Sequence, residues 1–256
     1  KVAIMIWAMV ALYWLIMEKA YLLLITLPER IMPAFILQKY LQSKTIMNCN
    51  EAKQLFADNF IGIQELKPLL RKLDCEIDLN DIDIPILFED RDLYKAAKDG
   101  FLLILVIPDV KEGLFSIRSL RSCFGIDPDK EVPCFYNQDW YLNEDFIDFA
   151  VAPGWYLLQK NPPDSTRAVM PDVILASENN ITFPSAMLCA YTFFAYRLAY
   201  GKNLWETDFV WCSDLDHNGD RIYVGKYHDI DGVNKDGFSI HRHLKLRPCY
   251  TAISVR

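Results

Sequence analysis

The chain has 256 residues, 52% of them apolar and 24% charged, with a formal net charge of −7. This length and apolar content can bury a sizeable core and exclude a disordered or fibrous chain. The acidic balance, with no Lys/Arg run, argues against a nucleic-acid partner, whose phosphates need a basic face.

The N-terminus differs from the rest. Val2 to Met17 is a run of sixteen uncharged residues, and after Glu18 and Lys19 a second apolar run reaches Leu27 before Pro28. A membrane-spanning helix needs about 20 apolar residues, and the first run covers only about 24 Å. Adding the second run gives the length but sets a Glu-Lys pair near one edge, where the lysine can snorkel. Residues 2–27 therefore read as a membrane anchor, or as a helix packed in the core or in an oligomer. A secretory signal is a third reading, although no small-residue cleavage site follows the run. The chain opens on Lys1, and Met47 offers an alternative start with a soluble-looking sequence after it. The expected division is 1–46, an apolar helical segment, and 47–256, one α+β domain.

Apolar spacing over 29–44 is near-helical, interrupted by Pro33. Asn50 is expected to cap a helix over 51–59, followed by a turn at 59–62 and a helix over 64–73 ending in Arg71-Lys72. The acidic stretch 74–83 carries carboxylates at 74, 76, 78, 81 and 83, and reads as a solvated loop more readily than as a paired-carboxylate site. A helix over 89–100, with Gly100 after its last turn, leads into FLLILVIP at 101–108, a buried strand. A helix is expected over 116–124. The segment 135–149 is dense in aromatics and acids, as a half-buried core edge or a stacking surface would be. A second strand is expected at 154–160. Residues 184–200 form the clearest helix, apolar on nearly every side and closed by Gly201, as a central core helix would be.

All four histidines, His217, His228, His241 and His243, fall in the last 40 residues, beside the acidic turns at 214–220 and 229–232. Strands are expected at 208–214, 221–227 and 238–246, the first two joined by a two-residue Asn218-Gly219 turn with positive φ at both positions. On the third, Phe238 and Ile240 share one face, while Ser239, His241 and His243 share the other. Two metal readings follow. Asp214, Asp216, Asn218 and Asp220 mimic the first four odd positions of a calcium loop, but the twelfth position is Gly225 where a bidentate Glu belongs. Alternatively His241 and His243 chelate zinc, with His228 or an aspartate as third ligand. Histidines on a solvated strand face explain the same pattern with no metal. Nucleotide-binding, nucleophile-elbow and zinc-protease motifs are absent.

The seven cysteines are scattered, with no Cys-x-x-Cys pair. Free thiols, several of them buried, are expected in a reducing interior, which places the protein in the cytoplasm or on the cytoplasmic side of a membrane.

Five islands carry a resemblance: FADNFIGIQEL (56–66), IPILFEDRDL (84–93), FYNQDWYLNEDF (135–146), GWYLLQK (154–160), and NGDRIYVGKY followed by DGFSIHRHL. In this order they resemble a family of uncharacterised bacterial proteins over about residues 56–256. The resemblance implies one domain of shared architecture and assigns no reaction or catalytic residue.

The fold class expected is α+β: a helical N-terminal half with one or two buried strands, a central apolar helix and a C-terminal antiparallel β meander. The leading functional expectation is a non-enzymatic binding or interaction module with a protein or small-molecule partner and no cofactor, tethered to a membrane if residues 2–27 form an anchor. The alternative is a hydrolase using zinc or calcium held by His228, His241, His243, Asp214, Asp216 and Asp220.

Overall fold

A computed structural model describes residues 47–75, 82–109, 113–177, 181–225, 227–228, 236–242 and 245–256. The segment 2–27, most of the acidic stretch, the turn at 229–232 and His243 lie outside them. The described residues form a mixed α+β architecture with two mixed sheets.

Helix α1 (Cys49–Phe56) is capped by Asn48, whose side chain accepts from the Asn50 and Glu51 N–H groups while Glu51 reaches back to the Asn48 N–H. The cap lies two residues before the expected Asn50 because Asn48 is the residue three positions ahead of a glutamate. The expected turn at 59–62 is instead a short strand, β1 (Phe60–Ile61). Helices α2 (Ile63–Lys72) and α3 (Asp90–Lys98) then lead to β2 (Phe101–Val106), every residue of which is buried. Helix α4 (Ile117–Phe124) precedes β3 (Gly154–Gln159). In the first sheet β1 runs parallel to β2, and β3 antiparallel. A parallel β1 was not legible locally, since its two residues are held by β2 across a long connection.

A short helix α5 (Pro171–Ser177) comes before α6 (Ala186–Tyr200), which is buried from Ala186 to Tyr196. Ser185 caps α6 through the Leu188 N–H, and Gly201 closes it with φ 69°. Its flanks pack on α2, α4 and β5, which accounts for its apolar surface on all sides.

The second sheet has the order β6-β5-β4-β7, with β4 (Phe209–Leu215), β5 (Arg221–Gly225), β6 (Ser239–His241) and β7 (Tyr250–Thr251). Strands β4, β5 and β6 are antiparallel in sequence, but β7 lies parallel to β4. The expected antiparallel meander is therefore corrected to a mixed sheet. Both of its faces are covered. Val210, Cys212, Ile222, Val224 and Ile240 join the main core, while Phe209, Trp211, Tyr223 and Tyr250 form a second, aromatic core with Ile174 and Phe183.

The last residues tie the sheets together. After β7, Arg256 exchanges two backbone bonds of 3.0 Å with Leu157 of β3, and the Gln159 N–H of the same strand donates to the Ser254 carbonyl. The outer edge of β6 is covered by the segment 134–140: Phe238 donates to the Cys134 carbonyl and accepts from the Tyr136 N–H, and the Trp140 indole donates to the Ile240 carbonyl. Such covering removes an open strand edge. Gly237 makes the approach feasible, since a Cβ there would come within 2.4 Å of the Tyr136 nitrogen. This contact carries the chain on to Glu144. Among the described residues no helix is long and apolar enough to cross a membrane.

Candidate functional site

Three chain segments meet at one charged cluster: the end of the aromatic segment at Glu144, the β4–β5 turn at Asp216 and His217, and Arg242 just after β6. Glu144 and Asp216 are buried, with side chains 5% and 0% exposed, whereas the His217 side chain is 64% exposed.

The turn differs from the expected two-residue loop. The Gly219 N–H donates to the Asp216 carbonyl, the Asp216 N–H donates to the Asp220 carbonyl, and Gly219 has φ +86°. Asn218 is not among the residues of positive φ. This is the pattern of a three-residue loop with a left-handed glycine at its end. What selects it is the Asp216 side chain: Oδ1 accepts from both the Asn218 and Asp220 N–H groups at 2.8 Å, an Asx turn.

The other Asp216 oxygen, Oδ2, accepts from Arg242 Nη1. The same Nη1 donates at 3.0 Å to Glu144 Oε1, which also accepts from His217 Nδ1 at 2.7 Å. Glu144 Oε2 takes the His217 backbone N–H at 2.9 Å. A carboxylate can only accept, so Nδ1 carries the proton and Nε2 is the ring nitrogen not turned to Glu144. Glu144 precedes a one-turn 3-10 helix, Asp145–Asp148, but makes no side-chain cap to it; its carboxylate is spent on His217 and Arg242 instead. The Arg242 guanidinium carbon lies 4.5 Å from the centre of the Trp140 ring, a cation–π contact.

Burial raises the Asp216 carboxyl, but the Asp220 N–H, the Arg242 guanidinium and the Asn218 N–H outweigh it and hold the group below the usual aspartate range. Asp214 moves the other way. Burial raises it, opposed only in part by its bond to the Ala186 N–H at 2.6 Å, at the start of α6.

The residues singled out in the sequence are thus mostly kept apart. Asp214 serves α6, and Asp220 closes the turn through its backbone. His228 Nδ1 lies 2.9 Å from Asp236 Oδ1. His241 stacks on Tyr223 and meets Phe209 edge-on, with Gln138 Nε2 beside its ring nitrogens. Its strand face is packed with aromatics, where a solvated face was the simpler expectation. Among the described residues, the group whose metal-donor atoms all lie within 4.8 Å of one another is Glu144, Asp216 and His217. Of these only Asp216 belonged to the sequence-derived set. His217 stood in the histidine-rich stretch but was assigned to a turn, and Glu144 had no local signal distinguishing it from Asp139, Asp145 or Asp148. All seven cysteines are free, and four of them, Cys75, Cys134, Cys189 and Cys212, are buried. Burial pushes the Cys134 thiol up to about 11, which keeps it protonated and unreactive.

No family model matches the chain, and neither a curated protein nor a solved structure does. Its function has to be read from its own residues.

Proposed function

We propose that this protein is a binding or interaction module whose contact centre is His217, presented by the buried Glu144–Arg242–Asp216 lock. The observation that supports this is the clasp on His217, through both its backbone N–H and Nδ1, beneath an exposed ring. A ring held in this way offers Nε2 in a fixed direction at little entropic cost, which suits a polar group of a protein or small-molecule partner. Hydrolysis by the wider His/Asp set is less well supported, because Asp214, His228 and His241 are each committed to a different element. Tethering to a membrane through residues 2–27 remains part of this proposal.

The test is a turnover screen of the full chain with phosphate-ester, carboxylate-ester and peptide substrates, with added zinc, manganese or calcium. No turnover above that of Glu144→Gln is expected. A turnover that vanishes in Glu144→Gln and His217→Ala would make the protein a hydrolase. Vesicle co-sedimentation of residues 1–256 against 47–256 tests the tether, which predicts binding by the longer chain alone.

A further inference from the structure

The geometry points to a divalent transition-metal site at Glu144, Asp216 and His217, in which Arg242 is the competing cation. The inference rests on reading this cluster as the binding centre.

Each carboxylate has one oxygen pinned by backbone donors and the other turned to a common point. Asp216 Oδ1 is held by the Asn218 and Asp220 N–H groups, and Glu144 Oε2 by the His217 N–H. The remaining oxygens, Asp216 Oδ2 and Glu144 Oε1, converge on a single nitrogen, Arg242 Nη1. An arginine binds a carboxylate best through a two-pronged fork. Here it acts as a point charge bridging two carboxylates, the position and role of a metal ion. The outer donors fix the direction of the inner oxygens, as the outer shell of a metal centre does.

The exchange balances without any redox step. The proton on His217 Nδ1 moves to Nε2 through solvent, Nδ1 becomes the third ligand, and Arg242 swings out as an intact guanidinium. Its side chain is 22% exposed and lies along the Trp140 ring, so it has a route to water. Two carboxylate oxygens and one imidazole nitrogen suit zinc, with ligand distances of about 2.0–2.2 Å. They do not suit calcium, which takes six to eight oxygens. The site differs from the zinc reading of the sequence, for it needs neither His241 nor His243, and it shares only Asp216 with the calcium reading.

The experiment is calorimetric titration of Zn²⁺ into the metal-free full chain and three variants, each checked by thermal melting. Wild type is expected to bind one zinc. Arg242→Met should tighten binding at least tenfold by removing the competitor, and Glu144→Gln should weaken it at least tenfold. His217→Ala, at an exposed position, should weaken it likewise and covers the case in which a buried variant fails to fold. Unchanged affinity in His217→Ala, or no zinc bound by either wild type or Arg242→Met, overturns the proposal. Zinc binding without turnover leaves the binding-module reading intact. Zinc-dependent turnover lost in the same variants overturns that reading and leaves the metal site standing.

Discussion

His217 holds Glu144 at both of its oxygens, the backbone N–H on Oε2 at 2.9 Å and the ring Nδ1 on Oε1 at 2.7 Å. One residue at the tip of a hairpin thereby anchors a buried carboxylate from a segment 73 positions earlier. The two partners are unequal. Glu144→Gln removes the buried charged acceptor that Arg242 and His217 share, and should cost about 3 kcal/mol. His217→Ala loses one charged hydrogen bond but keeps the backbone one, and should cost about 1.5 kcal/mol. Urea unfolding of both variants checks the order; a larger loss in His217→Ala would show that the ring, and not the buried carboxylate, organises the cluster.

Asp216 and Asp214 should respond to pH with opposite signs. The folded pKa of Asp216 is depressed, so its stabilisation is present above the ordinary aspartate value of about 3.9 and is lost as pH falls through the lower folded value. Asp216→Asn should therefore be destabilised at neutral pH, and its deficit should shrink under acid. The folded pKa of Asp214 is raised, so its contribution is present below the ordinary value and is lost as pH rises through the folded one. Asp214→Asn, whose amide oxygen can still accept from Ala186, should equal or exceed wild type at neutral pH and lose that advantage under acid. Denaturant midpoints from pH 7 to pH 3 decide both, and a destabilised Asp214→Asn at pH 7 would remove burial as the dominant effect at that site.

The two covered faces of the second sheet lead to a further expectation. Ile240 is fully buried in the main core, so Ile240→Asp should cost more than about 3 kcal/mol through an unpaired buried charge. Tyr223, 1% exposed on the opposite face, meets Phe209, Trp211, Tyr250 and His241, and Tyr223→Ala should cost about 3–5 kcal/mol. If the outer face were solvated, Tyr223→Ala would melt close to wild type while Ile240→Asp did not.

The regular elements were legible because their signals are local. FLLILV at β2 is a short apolar run between turn residues, and α6 has an apolar surface closed by a glycine, so both lie within a few residues of expectation. What escaped depends on partners distant in sequence. The strands β1 and β7 have two residues each and exist only because β2 and β4 pair with them. The Asp-rich turn carried calcium-like spacing, yet the same aspartate at 216 satisfies loop N–H groups and an arginine 26 positions away. Spacing alone cannot separate these uses, since both need an acceptor aimed into the loop. Glu144 was hidden for the same reason: it is marked by Arg242 and His217, neither of them near in sequence.

The most direct test of a locked platform is a double-mutant cycle on Glu144 and Arg242, read as unfolding free energy at neutral pH in Glu144→Gln, Arg242→Met and the double variant. Groups joined across a buried charge network should couple by about 2 kcal/mol, so that the double variant loses much less than the sum of the single losses. Losses that add to within about 0.5 kcal/mol would mean that the two residues do not act as one unit, and the charged centre on which the proposed binding role stands would be lost with them.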